Sequence, residues 1–147
     1  SMLEWAQVYD NFYGTSYSEL DRIISGGYKA LLEVDVQGWH NLKSLLPAAK
    51  SILILPPSME ELWRRLASRG TNTSNEVALR IQTSIEELSF AKDFDFFIVN
   101  DNLDATYNKL CDFINNKSSL DLSKEAGISH SQTLIKQFPK VKAKLLK

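Results

Sequence analysis

The sequence predicts an α/β fold in which a parallel sheet is flanked by helices. Short apolar runs of strand length alternate with amphipathic segments of helical length, and glycines or prolines lie between these segments in the sequence. The apolar runs are Lys29–Val36, Ser51–Leu55 and Asp95–Asn100. Strands that alternate with helices favour parallel pairing with both sheet faces covered. A chain of 147 residues is long enough for one compact domain with a core.

Composition and charge indicate which general class of protein this chain belongs to. Apolar residues make up 44% of the chain and charged residues 24%, which is typical of a globular protein. No apolar run is long enough to span a bilayer, and the net charge of −1 does not favour nucleic-acid binding. A single cysteine, Cys111, excludes an internal disulfide and fits a reducing compartment. We therefore expect a cytoplasmic protein without a membrane or nucleic-acid partner.

The first half of the chain is predicted to contain two helices and two strands. The first helix covers Ser16–Gly27 and ends at its two glycines. The run Lys29–Val36 is predicted to be a buried strand. A second helix covers His40–Leu46 and stops before Pro47, and the strand Ser51–Leu55 follows.

The second half is predicted to contain three further helices and a strand. Ser58 caps the helix Ser58–Arg69, which Gly70 ends, and Thr73 with Glu76 forms a capping box for the next helix. That helix carries a core stripe made of Val77, Ile81, Ile85 and Leu88. After the strand Asp95–Asn100, the helix over 103–114 is predicted to bury Leu103, Tyr107, Leu110 and Ile114.

The C-terminal tail is basic. From Leu122 to Lys147 it holds six lysines and one glutamate. We expect a solvated helix here, with a flexible arm or a contact to acidic surfaces as the alternatives.

Arginines flank a polar, glycine-bearing loop and are candidates for phosphate binding. Arg65 and Arg69 are four residues apart and share one helix face, and Arg80 lies at the edge of the core stripe of the next helix. Phosphoryl transfer spreads negative charge over phosphate oxygens, and the planar fork of arginine suits those oxygens. The alternative is a solvated helix face on which Arg80 pairs with Glu76.

Two acidic residues lie at the end of the first predicted strand. Glu33 and Asp35 would lie on one face of that strand, and a buried carboxylate needs a partner. A magnesium ion, or its bound waters, would supply one for Asp35. The alternatives are a helix cap and a lysine pair.

The N-terminal segment offers groups that could read a nucleotide. Glu4 could accept two N–H bonds from guanine, and the hydroxyls of Tyr13 and Thr15 could hold a phosphate. The alternative is an ordinary strand and turn with Tyr13 in the core. Asn100 ends the last predicted strand, where open α/β sheets bind ligands.

Five blocks, in this order and spacing, resemble guanylate kinase, which transfers a phosphoryl group from ATP to GMP in purine nucleotide metabolism. The resemblance covers residues 3 to 114, and the blocks are EWAQVYDNFYGTS, LLEVDVQG, ILPPSMEELWRRLASRGT, EVALRI and IVNDNLDATYNKL. It implies a nucleoside monophosphate kinase core with ATP and GMP as ligands and Mg²⁺ as cofactor.

The resemblance also implies a role for each candidate residue. The residues implied to bind GMP are Glu4, Tyr13, Thr15, Glu33 and Asp35. Those implied to bind ATP are Arg65, Arg69 and Asn100, and those implied to act in catalysis are Arg65, Arg69, Arg80 and Asp35. Asp35 is implied to contact magnesium only through its waters.

By region, 1–29 is part of the GMP site, 30–115 is the kinase core with a lid at about 64–82, and 116–147 is the basic tail.

The family's first strand and its phosphate-binding loop have no counterpart in this chain. The pattern G-x-x-x-x-G-K-[ST] is absent from the sequence. In the family that strand lies in the middle of the sheet, between the strands matching Lys29–Val36 and Ser51–Leu55. We therefore expect the chain alone to be inactive. We also expect the gap to be filled by rearrangement, by a homo-oligomer that exchanges elements, or by a separate N-terminal piece. The alternative function is a non-catalytic, guanylate-kinase-like protein-interaction module.

Overall fold

The computed structural model describes residues 2–8, 11–68 and 73–145. The chain divides into two compact units, Ser1–Ala49 and Lys50–Lys147. The first unit contains an antiparallel hairpin and the second a parallel pair of strands. Parallel strands embedded among helices confirm the predicted α/β class.

The first unit consists of two strands followed by two helices. Its elements are β1 (Met2–Val8), β2 (Asn11–Ser16), α1 (Tyr17–Ser25) and α2 (Val36–Leu45). Ser16 caps α1 by accepting a hydrogen bond from the backbone N–H of Glu19 at 3.2 Å. Gly27 ends α1 with a φ of 78°, a left-handed conformation that glycine adopts without strain. The predicted glycine stop of this helix is therefore confirmed.

The predicted strand Lys29–Val36 is wrong. Residues 28–35 form no regular structure, and Val36 already begins α2. Asp35 is the helix cap, because its Oδ1 accepts a hydrogen bond from the backbone N–H of Gly38 at 2.7 Å. A strand is stable only beside another strand, and none of the described strands pairs with this segment. The Asp35 cap, which needs only local residues, fixes the point at which α2 begins.

Over its described residues, 50–68 and 73–145, the second unit contains two strands, four α-helices and a short 3₁₀-helix at Ala91–Asp93. Its other elements are β3 (Ile52–Leu55), α3 (Met59–Ala67), α4 (Ser74–Ser89), β4 (Phe96–Val99), α5 (Leu103–Ile114) and α6 (Lys124–Leu145). The predicted Ser58 cap and Thr73–Glu76 capping box are both present. Gly70, the predicted stop of α3, lies outside the described residues.

Helices cover both faces of the β3–β4 pair, but not completely. On one face α6 passes so close to β4 that a Cβ added to Gly127 would lie 2.1 Å from Cγ of Phe97. On the other face Phe113 of α5 contacts Phe96 edge to face, with ring centroids 4.7 Å apart. Ile54 of β3, on this second face, remains 52% exposed. The buried apolar side chains of the second unit come from the strands and from several helices, and they include Leu55, Phe97, Ile81 of α4 and Leu134 of α6.

The buried side of α5 matches the predicted one only in part, because Leu110 and Ile114 are half-buried. Leu103 and Tyr107 are 72% and 65% exposed, whereas Thr106 is buried. The helix is turned so that Thr106 and Phe113 face inward, because Phe113 packs on Phe96 of β4. The described part of the chain contains no helix that is both long and apolar enough to cross a membrane.

Candidate functional site

The carboxyl ends of β3 and β4 lead directly into helix N-termini at one edge of the sheet. Ser58 caps α3 by accepting from the backbone N–H of Glu61 at 3.1 Å, and Asn102 caps α5 by accepting from that of Ala105 at 2.9 Å. In open α/β sheets ligands bind at this edge. Helix N-termini there also favour anionic groups such as phosphate.

Arg65 joins α3 to the end of β4. Its Nη1 donates to the carbonyl oxygen of Asn100 at 2.8 Å, and its Nη2 donates to that of Asp101 at 3.3 Å. Its Nε donates to Oε1 of Glu61 at 2.6 Å. The structure therefore brings together two of the predicted ATP-site residues, Arg65 and Asn100. The contact fixes the segment that follows β4 at the carboxyl-terminal edge of the two strands.

Glu61 holds two neighbouring arginines at the same time. Arg64 donates through Nε and Nη2 to the two carboxylate oxygens at 2.7 and 2.6 Å, and Arg65 donates through Nε. These hydrogen bonds, first from Arg64 and then from Arg65, lower the pKa of Glu61 from 4.5 to about 2. The carboxylate therefore stays ionised near neutral pH and orients the guanidinium of Arg65.

Arg80 lies half-buried on α4, one turn after the capping box. Glu76 accepts from the backbone N–H and the hydroxyl of Thr73, at 2.6 and 3.0 Å. These bonds lower the pKa of Glu76, and the positive charge of Arg80 lowers it further. The second stem of the predicted lid is thus a well-capped helix that carries a charged arginine near its start. Arg69 lies outside the described residues.

Helix α6 contributes two contacts to the start of α3 that the sequence did not predict. Nε2 of His130 lies 2.9 Å from the carbonyl oxygen of Pro56, and Oε1 of Gln137 accepts from the backbone N–H of Met59 at 3.0 Å. These two contacts from α6 fix the turn between β3 and α3. No local sequence signal could reveal them, since Met59 and Gln137 are 78 residues apart.

Glu33 and Asp35 lie in the irregular segment before α2, and both are exposed. Asp35 uses Oδ1 to cap α2, which is the alternative weighed from the sequence. A carboxylate has about four lone-pair positions, so this contact leaves capacity for a magnesium-bound water. Among the residues described by the structure, no three His, Cys, Asp or Glu side chains are grouped so that they could hold a metal.

The three predicted guanine and phosphate contacts lie in the β1–β2 hairpin. The register pairs Glu4 with Thr15, and Ala6 with Tyr13. In an antiparallel pair, two residues that lie directly opposite each other are on the same face of the sheet. Residues two positions apart on one strand are also on the same face. The backbone therefore puts the positions of Glu4, Tyr13 and Thr15 on one face of the hairpin.

Comparison with known proteins gives one consistent result. The family model described as Guanylate kinase matches residues 1–117. A guanylate kinase of Clostridioides difficile (strain 630) is 39% identical over 108 residues, which are 74% of this chain and 53% of that protein. A guanylate kinase of Shewanella sp. (strain MR-7) is 39% identical over 105 residues, which are 71% of this chain and 51% of that protein.

A solved structure agrees with the sequence matches. The crystal structure of guanylate kinase from Anaplasma phagocytophilum is similar with a TM-score of 0.62 and 28% identity, over 82% of this chain and 57% of that one. The chain spans about half the length of the curated relatives that it matches.

Proposed function

Because the chain belongs to the guanylate kinase family, we propose that it forms part of an enzyme that transfers a phosphoryl group from ATP to GMP. The observation that carries this proposal is the extent of the family match. Residues 1–117 include every position for which we expect a nucleotide contact, from Glu4 to Asn100. The reaction needs charge neutralisation and precise positioning more than covalent chemistry.

The hairpin of the first unit is proposed to hold GMP. Glu4 would accept two N–H bonds from guanine, while the hydroxyls of Tyr13 and Thr15 would bind the phosphate. Their positions on one face of the ladder support this proposal, since one ligand could then reach all three. Glu33 and Asp35 would extend the site on the acidic segment before α2.

The second unit is proposed to hold ATP. Arg65 and Asn100 would lie near the nucleotide, since Arg65 fixes the backbone at the end of β4. Arg69 and Arg80, on either side of the lid, would neutralise charge on the phosphate chain as the phosphoryl group moves. Asp35 would hold magnesium only through its bound waters, and the ion, when bound, would supply positive charge for the phosphates.

Calorimetric titration with GMP tests the guanine site directly. We expect the wild-type chain to bind GMP and the Glu4→Ala variant to lose at least tenfold in affinity, because two hydrogen bonds to the base are removed. Glu86→Ala, which removes an exposed carboxylate on α4, is the matched control and keeps wild-type affinity. Equal affinities of wild type and Glu4→Ala would refute the assignment of Glu4.

The chain alone is proposed to lack phosphotransferase activity. No segment of this sequence has the glycine-rich pattern whose backbone N–H groups and lysine hold the phosphates of ATP. A coupled assay for ADP formation is expected to give the same rate with and without GMP. A GMP-dependent rate well above background would contradict this proposal.

The non-catalytic alternative predicts different binding. A protein-interaction module of this family would bind a phosphopeptide tightly and leave GMP unbound. That pair of results, measured by the same calorimetry, would replace the enzyme proposal.

A further inference from the structure

One face of α6 combines apolar and polar side chains. It consists of residues at alternating steps of three and four positions, which are Gly127, His130, Leu134, Gln137 and Val141. Gly127, Leu134 and Val141 are buried. A polar group on such a face is costly unless it has a hydrogen-bond partner. Both polar side chains of this face have partners, and the partners lie in one short segment.

The partners are backbone groups in the turn that begins α3. Nε2 of His130 lies 2.9 Å from the carbonyl oxygen of Pro56, and Oε1 of Gln137 accepts from the backbone N–H of Met59 at 3.0 Å. A carbonyl oxygen only accepts, so Nε2 of His130 is the donor. Met59 is the first residue of α3, and its N–H is one that a helix leaves without an internal partner. Helix α6 thus holds the chain on both sides of the Ser58 cap.

The turn held by α6 and Arg65 belong to the same short helix. Arg65 lies about one and a half turns beyond Met59, and Glu61, between them, accepts from Nε of Arg65. Arg65 then donates to the carbonyl oxygens of Asn100 and Asp101 after β4. A shift or a rotation of the start of α3 would therefore move the guanidinium away from these two carbonyls.

Helix α6 can support α3 because it is itself fixed to β4. Gly127 lies so close to the ring of Phe97 that a Cβ has no room there, and Leu134 is fully buried. The contacts form a closed set, since α6 packs on β4, α6 holds the start of α3, and Arg65 of α3 binds the end of β4. Close packing of this kind transmits a displacement from one element to the next.

We infer that His130 and Gln137 are positioning residues for the proposed ATP site. By fixing the start of α3, they hold the guanidinium of Arg65 at the carboxyl-terminal edge of β3 and β4. The inference rests on the proposed function for the identity of the ligand. It adds two residues that lie outside residues 1–117, the part matched by the family model. Positioning matters in phosphoryl transfer, because the reaction depends on correctly placed charges.

The alternative is that the two contacts only add stability. In that case, any substitution in α6 that removes a buried hydrogen bond would disturb Arg65 to the same extent. Ser131→Ala is the matched control for this alternative. It removes the bond from the buried Ser131 hydroxyl to the carbonyl oxygen of Gly127, and it leaves both bonds to the turn in place.

NMR of the full nitrogen-15-labelled chain tests the inference on the guanidinium of Arg65. Its Nη1 and Nη2 bind different carbonyls, so we expect separate signals and slow rotation in the wild type. Arg65→Ala identifies these signals by their loss. In Gln137→Ala and in His130→Ala we expect the rotation to become at least about threefold faster, because the hydrogen bonds to the carbonyls are weakened. Ser131→Ala is expected to keep the wild-type rate.

Conservative variants are expected to restore the slow rotation. Gln137→Glu keeps an acceptor for the N–H of Met59, and His130→Gln keeps a donor for the carbonyl of Pro56. Far-UV circular dichroism checks the fold of every variant. If His130→Ala does not fold, Gln137→Ala and its rescue by Gln137→Glu decide alone.

Three results of this experiment would overturn the inference. The first is a wild-type rotation rate in both Gln137→Ala and His130→Ala. The second is equal acceleration in Ser131→Ala, which would show a purely structural role. The third is fast rotation that persists in both Gln137→Glu and His130→Gln.

Addition of ATP separates this inference from the proposed function. We expect ATP to change the Arg65 signals of the wild-type chain, and we expect Gln137→Ala to need at least about threefold more ATP for the same change. An equal ATP dependence of the two chains would overturn the inference. Wild-type signals that ATP leaves unchanged would instead refute the ATP assignment of the second unit, and the rotation rates would still decide whether α6 positions Arg65.

Discussion

Arg65 is the residue whose contacts connect the predicted ATP site to the fold. It donates to two backbone carbonyls after β4 and to Glu61, and its side chain is 31% exposed. Arginine can make these contacts together because its donors are held in a planar fork. Lysine, with one ammonium group, could not reach all three partners.

We expect Arg65→Ala to lower the free energy of unfolding by about 2 kcal/mol, since charged hydrogen bonds contribute about 1.5–3 kcal/mol. Urea denaturation measures this change. Arg64→Ala is the matched control, because Arg64 shares Glu61 but is 68% exposed. It is expected to leave the stability close to that of the wild type, because an exposed ion pair contributes little. Equal effects of the two variants would contradict the anchoring role of Arg65.

The pKa of Glu61 gives a second prediction at this scale. A carboxyl group whose pKa is lower in the folded protein than in the unfolded chain stabilises the fold at pH values above its unfolded-state pKa. This contribution is lost as the pH falls through its folded-state pKa. For Glu61 the loss is expected between pH 4.5 and about 2. Carbon-13 NMR titration is expected to give a pKa of about 2, and Glu61→Gln is expected to flatten the stability profile in that window.

At the scale of elements, α6 organises the second unit through close contacts. Gly127 packs on the ring of Phe97, and the hydroxyl of Ser131 donates to the carbonyl oxygen of Gly127 at 2.9 Å. The helix also contacts α3 and α4, which carry the two stems of the predicted lid. The basic tail of the sequence is therefore largely a packed helix with exposed lysines.

Gly127→Ala is expected to destabilise the protein although alanine is the better helix former. The added Cβ would lie 2.1 Å from Cγ of Phe97, which is fully buried, so that β4 or α6 must shift. Overpacking of this kind typically costs about 1–3 kcal/mol, and this contact is closer than usual. Ser129→Ala, exposed on the same helix, is expected to be neutral. Denaturant unfolding compares the two, and a stabilised Gly127→Ala variant would refute the close approach.

Gln137→Ala tests the contact between α6 and the start of α3. Removing the acceptor leaves the backbone N–H of Met59 without the bond that now measures 3.0 Å. We expect a loss of about 1 kcal/mol and faster hydrogen exchange at the Met59 amide. Gln132→Ala, which changes an exposed glutamine on α6, is the control. Unchanged exchange at Met59 would show that the bond does not protect this amide.

The sequence predicted those elements whose signals are local. Ser58 and Thr73 marked the starts of α3 and α4, and the runs around Leu55 and Phe97 marked the two strands. It failed at Lys29–Val36, because a strand requires a partner that the local pattern does not reveal. It also misjudged the buried side of α5, since the contact between Phe113 and Phe96 depends on tertiary packing.

The candidate site was predictable to a similar extent. Family blocks identified Arg65 and Asn100, and the structure places Arg65 in contact with the Asn100 carbonyl. The contacts of His130 and Gln137 with the start of α3 could not be predicted, because they join residues more than 70 positions apart. The nucleotide-binding and catalytic roles proposed for Arg65 and Asn100 stay predictions, as do those of the other candidate residues, which are Glu4, Tyr13, Thr15, Glu33, Asp35, Arg69 and Arg80.

At the scale of the whole molecule, the matched part of this chain covers 53% and 51% of the length of the two curated guanylate kinases. Its first unit holds the proposed GMP contacts and its second the proposed ATP contacts. Among the described residues, β3 pairs only with β4, and Ile54 of β3 is 52% exposed.

The most direct test of this account is calorimetric titration of GMP into the wild-type chain and the Glu4→Ala variant. We predict that the wild-type chain binds GMP, that Glu4→Ala loses at least tenfold in affinity, and that Glu86→Ala keeps the wild-type affinity. Absence of GMP binding by the wild-type chain, or equal affinities of wild type and Glu4→Ala, would contradict the proposal that this chain contributes the guanine site of a guanylate kinase.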